Sequence, residues 1–423
     1  MKTNLPVDPT HITADIEGLA ALTEPGRPWT RRAFTPMFLE GRAFLVARMR
    51  EAGLATRIDS AGNLVGRRAG AKPGLGTIMV GSHSDTVPSG GRYDGIAGVA
   101  AGLEVARALD AAGVTLDHDL EVVDCLGEEV TVFGVSCVGS RGMAGLVPEA
   151  WLARRDADGR ALPEGLAMVG GDAARLADAT RDDVRAFLEL HIEQGPVLEA
   201  ERLDIGVVSA IAGITRLEIV VEGRADHAGT TPMESRADAL VAAARIVEAV
   251  RALARGLAAG PEHFAATVGE FAIEPGAANI VPSRARMLID ARAENRATME
   301  LFCARVAEIA AETAAAEGVA IAPPTRVSDA MPTPLDPLVI ATLEGACDAV
   351  GASRRPMASG AGHDTGWMAR IAKAGMIFVP CAGGRSHAPE ESAEIADIAL
   401  GAAVLTEAVI RLDAALQKTP MET

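Results

Sequence analysis

Four short apolar blocks punctuate the chain: Thr77-Ile-Met-Val80, Leu120 to Val123, Ala186-Phe-Leu-Glu-Leu-His-Ile-Glu193 and Met376 to Pro380. Their apolar character is continuous rather than alternating, which predicts strands buried on both faces, as in a parallel sheet covered by helices. Apolar residues at helical spacing fill His11 to Leu22, Phe34 to Ala52, Ile96 to Ala111, Leu338 to Val350 and Ile395 to Leu416. Thr35-Pro36 reads as a helix start and Gly53 as a stop. Leu54 to Arg68 alternates around Ser60-Ala-Gly-Asn63, which predicts two short strands and a turn. Phe133 to Leu146 reads as a glycine-rich loop with a short helix, and Trp151 to Asp183 as surface helices and loops.

The pattern changes near Gly213. Leu217 to Val221 reads as a strand, Arg236 to Leu253 as a helix, Thr267 to Ile273 and Arg286 to Ala291 as strands, Thr298 to Glu317 as a helix, and Val319 to Ala322 as a strand. That order is a self-contained two-layer βαββαβ unit. The expected organisation is a catalytic domain over 1–212 and 331–423 with an inserted domain over 213–330. Pro323-Pro324 and Met331 to Pro337 mark the return and a place for a hinge.

Composition sharpens the fold class. A chain of 423 residues exceeds one ordinary core, and 49% hydrophobic with only 3% aromatic residues means Ala, Val, Leu and Ile must fill it. The class predicted is α/β, with a mostly parallel central sheet in the catalytic domain. A formal net charge of −17, without a basic run, argues against nucleic acid as a partner. The five cysteines show no CxxC spacing and are odd in number, so neither a disulfide framework nor a thiolate zinc site is indicated, and a cytoplasmic location fits. Asp8, Asp15 and Glu17 precede any apolar run, unlike a signal peptide, and no stretch reaches the ~20 apolar residues of a membrane span.

The chemistry collects where the apolar blocks end. Thr77–Val80 runs into GSHSDTVPSGGRYDG, with His83 and Asp85 flanking a serine and Asp94 in a glycine-flanked turn able to reach back. On a strand the two side chains share a face, so the Asp85 carboxylate is expected to orient the His83 imidazole. A polar strand end with a hairpin-like turn is the other reading of that stretch. Leu120–Val123 runs into Glu128-Glu129, which could equally be acids at a helix N-terminus. The third block carries His191, which alone could be a satisfied buried histidine, and the fourth leads to His387 in CAGGRSHAPEE. Three of eight histidines, with carboxylates, at four strand ends of one sheet point to metal ligation. Nitrogen and oxygen donors without thiolate suit Zn²⁺, Mn²⁺, Co²⁺ or Ni²⁺, and two ions sharing an aspartate would form a hydrolytic site. One glutamate of the pair could bind metal while its neighbour takes a proton from water.

GSHSDTVPSGGRYDG, Glu128-Glu129, ELHIEQGPVLE, DHAGTTPM and GRSHAPEE together resemble the zinc-dependent aminoacylase and carboxypeptidase-like amidohydrolases. They resemble most closely the hydantoinase/carbamoylase branch, which holds N-carbamoyl-L-amino-acid hydrolases, β-ureidopropionases and allantoate amidohydrolases. The resemblance runs from about Ile12 to Leu412. It implies that His83, Asp94 and His191 hold one metal, that Asp94, Glu129 and His387 hold the other, and that Glu128 is the general base, with Asp85 behind His83. It also implies an inserted domain that serves as lid and dimerisation surface and sends His227 into the neighbouring subunit's site. Asn279 in PGAANIVP and Arg292 in DAR match positions that bind the substrate carboxylate, and Gln194 and His363 match further substrate contacts. Read from the residues alone, His227 could instead cap a helix and Arg292 could be surface charge. One departure stands out: VTVFGVSCVGS follows Glu128-Glu129 where better-known members have a GSRF-like continuation.

The activity expected is hydrolysis of the ureido or carbamoyl C–N bond of a small anionic N-carbamoyl amino acid, by a homodimer with two divalent ions per subunit. An allantoate or ureidoglycolate amidohydrolase, an aminoacylase or dipeptidase, and a non-catalytic binding protein on the same scaffold are the alternatives.

Overall fold

A computed structural model describes residues 5–417. The chain divides into two compact units. One takes in the residues up to Ser209, Leu335–Met357 and the residues from His363 onward; the other is Ala210–Pro334 with Ala358–Gly362.

The first unit is built on β1 (Ala55–Ile58), β2 (Leu64–Arg68), β3 (Thr77–His83), β4 (Asp119–Cys125), β5 (Val184–Ile192) and β6 (Ile205–Ile211). The second unit supplies β7 (Gly213–Glu222), β8 (Phe264–Glu274), β9 (Arg284–Ala293), β10 (Ala320–Ile321), β11 (Thr325–Asp329) and β12 (Thr333–Pro334). The chain then returns through β13 (Arg354–Ser359) and β14 (Lys373–Val379). The central strands lie in the order β4-β3-β5-β14, all pairings parallel, with β1 and β2 antiparallel beside β4 and β6 antiparallel beside β14. Every residue of β3 is buried. Such a strand needs cover on both faces, which is why its sequence does not alternate.

Helix Ile96–Ala111 packs so closely on the sheet that a Cβ at Gly98 would overlap the Leu190 carbonyl and the Ser82 side chain. Together with Pro9–Ala21, Pro337–Val350 and Ile395–Leu416 it shares one apolar core with Ile78, Val80, Val122, Leu188 and Ile377. Removing a fully buried Ile there costs about 2–5 kcal/mol on truncation to Ala. Since the four central strands are parallel, they all end at the same edge, and His83, Cys125 and His191 are delivered to it.

The second unit has the opposite pattern. In β7 and β9 buried and less buried residues alternate, because one face packs on helices Ala239–Ala258 and Arg296–Glu317 while the other does not. Asp238 and Asn295 cap those helices, and Gly318 ends the second in a left-handed conformation. The order β10-β7-β9-β8 is antiparallel, and β11 adds to β7 beyond β10. That last strand is absent from the expected βαββαβ order: Thr325–Asp329 carries no apolar stripe and is held by pairing to β7 and by Arg296–Asp329 and Arg326–Asp329 ion pairs. Among the described residues, no helix is long and apolar enough to cross a membrane, and the five cysteines are buried and unpaired.

Candidate active site

His83 is the last residue of β3. Its Nδ1 lies 3.0 Å from the Asp85 backbone carbonyl, an acceptor only, so Nδ1 carries the proton and Nε2 offers its lone pair. Asp85 thus stands behind His83 by two contacts, its carbonyl at hydrogen-bond distance and its carboxylate at 3.7 Å from Nδ1, while Oδ1 also accepts the Glu128 N–H at 3.3 Å. β3 ends at His83, so Asp85 lies just past the regular strand. His191, in β5, repeats the device, with Nδ1 donating to the Ile192 carbonyl at 2.9 Å.

Both Nε2 atoms face Asp94, at 3.6 Å for His83 and 3.2 Å for His191, each measured to Oδ1. Asp94 sits in the turn before helix Ile96–Ala111, and Gly95 after it has φ 67° and no room for a Cβ, which would overlap the His83 ring. The other oxygen, Oδ2, accepts Gln194 Nε2 at 2.7 Å and Ser386 Oγ at 2.6 Å and lies 3.4 Å from His387 Nε2. Glu129 Oε1 approaches the same His387 nitrogen to 3.0 Å. The two neighbouring glutamates diverge, Glu128 Oε2 lying 3.6 Å from His83 Nε2. Gln194 and His387 both hold positive φ, conformations that ordinary residues rarely adopt.

Two groups of side chains could thus hold an ion each: His83, Asp94 and His191, and Asp94, Glu129 and His387, the ligand atoms of each group lying within 4.8 Å of one another. The residues fit a pair of divalent cations on their own chemistry. His83 Nε2 is buried with no hydrogen-bond partner, both imidazoles are held at Nδ1 by a carbonyl with Nε2 turned to Asp94, where His191 Nε2 accepts the Gly95 N–H at 3.1 Å, and Asp94 presents one oxygen to each group. Thiols are not contenders, since burial pushes Cys125 and Cys137 well above their usual range.

Electrostatics sort the carboxyls. Burial opposes ionisation of Asp94, but the imidazoles of His191, His387 and His83 outweigh it and hold Asp94 well below the usual range. Burial pushes Glu128 well above its usual range, with Glu129, Asp364 and Asp85 adding and His83 opposing. Asp85 rises to about 7, mainly through burial, and Asp364 likewise to about 7 through burial and Glu189. His387 rises to about 10 through its hydrogen bonds to Asp94 and Glu129. His363 is buried edge-on to His191, ring centroids 4.6 Å apart, and burial holds it well below its usual range.

His227, Asn279 and Arg292 belong to the second unit. His227 is exposed, pairs by its backbone with Ile280, and accepts the Gly229 N–H at Nδ1 (3.0 Å). It does not cap the following helix, which Asp238 caps. Asn279 is exposed, and its carbonyl accepts the Ala228 N–H, so these two segments lie side by side. Arg292, near the end of β9, donates from Nε to Asp290 Oδ1 at 3.0 Å and from Nη1 to the Gly360 carbonyl at 2.7 Å.

The departing segment Val130–Ser136 makes a turn closed by Gly134 N to Thr131 O, and Phe133 leaves it to pack edge-on against Phe34, centroids 5.1 Å apart. It then brings Cys137 Sγ to 3.7 Å from Glu128 Oε1. Sequence reasoning passed over Cys137, Ser386, Asp364 and Glu391. Only Asp364 and Glu391 carried a signal, as acids beside the histidine motifs GHD and SHAPEE.

A parallel sheet that gathers two such ligand groups at one edge, with a raised carboxyl beside them, defines a metal-dependent hydrolase. The sequence profile of peptidase family M20/M25/M40 matches residues 79–411, and the chain belongs to that family. It is 38% identical over 410 residues to the N-carbamoyl-L-amino-acid amidohydrolase of Paenarthrobacter aurescens, covering 96% of this chain and 98% of that one. It is 36% identical over 413 residues to a ureidoglycolate hydrolase of Oryza sativa subsp. japonica, covering 96% and 85%. The solved amidase of the hydantoinase/carbamoylase family from Burkholderia multivorans aligns with TM-score 0.87 and 35% identity over 96% of this chain and 98% of that one.

Proposed function

We propose that this chain hydrolyses a small N-carbamoyl amino acid, with water, to the free amino acid, ammonia and carbon dioxide. The observation that carries this reading is the pairing of the Asp94-linked ligand groups with Glu128, whose Oε2 lies 3.6 Å from His83 Nε2. His83, Asp94 and His191 would hold one divalent ion and Asp94, Glu129 and His387 the other, Zn²⁺, Mn²⁺, Co²⁺ or Ni²⁺ all suiting such donors. When bound, such ions polarise a carbonyl and acidify water.

The chain's own groups do the rest. Glu128, made basic by burial, takes a proton from the water that attacks the ureido carbon and returns it to the departing nitrogen. Asp85 fixes the His83 tautomer through its carbonyl and steadies Glu128 through Oδ1. Arg292 and Asn279 receive the substrate carboxylate, and a guanidinium fork suits it in a protein of net charge −17. Gln194 and His363 contact the substrate beside Asp94 and His191. The Gly229 N–H on Nδ1 leaves the His227 proton on Nε2, able to donate to the developing oxyanion. In this reading the second unit pairs two chains, so His227 serves the partner's site in a homodimer. Buried unpaired cysteines accord with a reducing cytoplasm.

Allantoate or ureidoglycolate is the second reading, favoured by the 36% identity to the rice ureidoglycolate hydrolase. Ammonia release from N-carbamoyl amino acids, allantoate and ureidoglycolate, and free-amino-acid release from N-acetyl amino acids and dipeptides, with each candidate metal added, separate them. Fastest release from N-carbamoyl amino acids is expected. Turnover of only the acetyl or peptide substrates would refute both readings, and none at all would leave a binding protein.

A further inference from the structure

Glu391 has no part in the chemistry just described, yet it is only 2% exposed and its carboxylate is fully engaged. Oε1 accepts the backbone N–H of Tyr93 at 2.9 Å and of Asp94 at 3.0 Å. Oε2 lies 2.8 Å from Ser386 Oγ, which is also 2.6 Å from Asp94 Oδ2. The turn is shaped around this group, because a Cβ at Gly91 would overlap the carboxylate. Glu391 itself closes the loop that carries His387, its N–H donating to the Ala388 carbonyl at 3.0 Å, while Ala382 N–H to Ser392 O at 2.7 Å ties the loop's base. One side chain therefore grips the backbone of Asp94, which is common to both ligand groups, and through Ser386 the loop that supplies His387. A buried carboxylate is costly to desolvate, and donors spent on it here come from these two segments.

We propose that Glu391 is a positioning residue, which with Ser386 sets Asp94 against His387 so that the two ligand groups can share one aspartate. The proposal rests on reading Asp94, Glu129 and His387 as ligands. It predicts that Glu391 acts on the affinity of the ion at the Asp94–Glu129–His387 group.

The test is Co²⁺ binding to the full-length protein, by chelator competition and by the visible spectrum of the bound ion, for Glu391→Ala, Glu391→Gln, Ser386→Ala and His387→Ala. Glu391→Ala should weaken one of two ions by about 10- to 100-fold, the range for lost groups behind a ligand. Its activity at saturating metal should return with KM unmoved. Glu391→Gln should bind close to the unaltered protein, since its amide oxygen still accepts both N–H groups and its NH₂ still reaches Ser386. Folded Glu391→Ala protein binding both ions at unaltered affinity would overturn the proposal. If that variant does not fold, Ser386→Ala decides, because it keeps both N–H bonds to Glu391 and removes only the hydroxyl: weakening of one ion supports the link, and unaltered binding refutes it. His387→Ala separates the layers. Two ions at unaltered affinity there would remove the ligand reading itself, whereas loss of one ion there, with none from Glu391→Ala, removes the positioning role alone.

Discussion

His83 is joined to Asp85 through the backbone: its Nδ1 lies 3.0 Å from the Asp85 carbonyl and 3.7 Å from the carboxylate. A carbonyl cannot be titrated or mutated away, so the lone pair on Nε2 does not depend on the Asp85 side chain. The carboxylate is left to hold Glu128 by its N–H at 3.3 Å.

Asp85→Asn should therefore leave metal affinity within about tenfold of the unaltered protein, below most of the 10- to 100-fold range for a carboxylate that orients a ligand. Its amide oxygen can still accept from Glu128, so kcat should fall modestly. Chelator competition measures the first quantity. A hundredfold loss of metal affinity would restore the carboxylate as the orienting group.

Much of this arrangement was legible in the sequence because burial leaves an unambiguous mark. Four strands covered on both faces read as TIMV, LEVV, AFLELHI and MIFVP, and placing polar ligands at their ends needed only the direction of the chain. Strands that owe their place to pairing were not legible: Arg354–Ser359 and Thr325–Asp329 have neither alternation nor an apolar run. The same limit applies within the site. Asp94 and Glu391 are 297 residues apart, and no local spacing announces that one carboxylate receives the other's N–H. The Asp85 carbonyl was illegible for a related reason, since a backbone group that holds a side chain leaves no residue type to read.

The glutamate pair separates two roles. Glu128→Gln keeps size and a hydrogen-bonding end but cannot accept a proton, so kcat should fall by about 10² to 10⁴ with metal content unchanged. Glu129→Gln removes a charge 3.0 Å from His387 Nε2 and should instead weaken one ion. Metal analysis beside kinetics checks both, and equal metal loss in the two variants would mean that the roles are misassigned.

Metal removal tests the ligand groups together. Extended dialysis against a chelator should abolish turnover, and Zn²⁺, Mn²⁺, Co²⁺ or Ni²⁺ should restore it to different extents. The apoprotein should keep its far-ultraviolet circular dichroism, because the strands beneath the site are held by the apolar core and not by the ions. Full activity after verified removal would end the hydrolytic mechanism.

Arg292 carries the expected preference for anionic substrates. Lysine keeps the charge but loses the fork and the hydrogen bonds to Asp290 and Gly360. Arg292→Lys should lower kcat/KM by about 1.5–3 kcal/mol, roughly ten- to 150-fold. Comparison with a carbamoyl substrate lacking the carboxylate is the control. An equal loss on both would assign Arg292 to the scaffold alone.

The shared-site reading of His227 makes the sharpest demand. If the second unit pairs with its own copy about a two-fold axis, each complete site takes the ligand groups of one chain and the imidazole of the other. Glu128→Gln and His227→Ala proteins should then each be nearly inactive alone. In a heterodimer of the two, the site formed by Glu128 of the His227→Ala chain and His227 of the Glu128→Gln chain is intact, and the second site carries both defects. Equal amounts exchanged to random equilibrium place half the protein in heterodimers with one good site of two, so activity should recover to about a quarter of the unaltered enzyme. Recovery should follow the rate of subunit exchange seen by native mass measurement and should vanish when Glu128→Gln is mixed with a chain carrying both substitutions. Exchange without recovery would confine His227 to its own chain or remove it from catalysis.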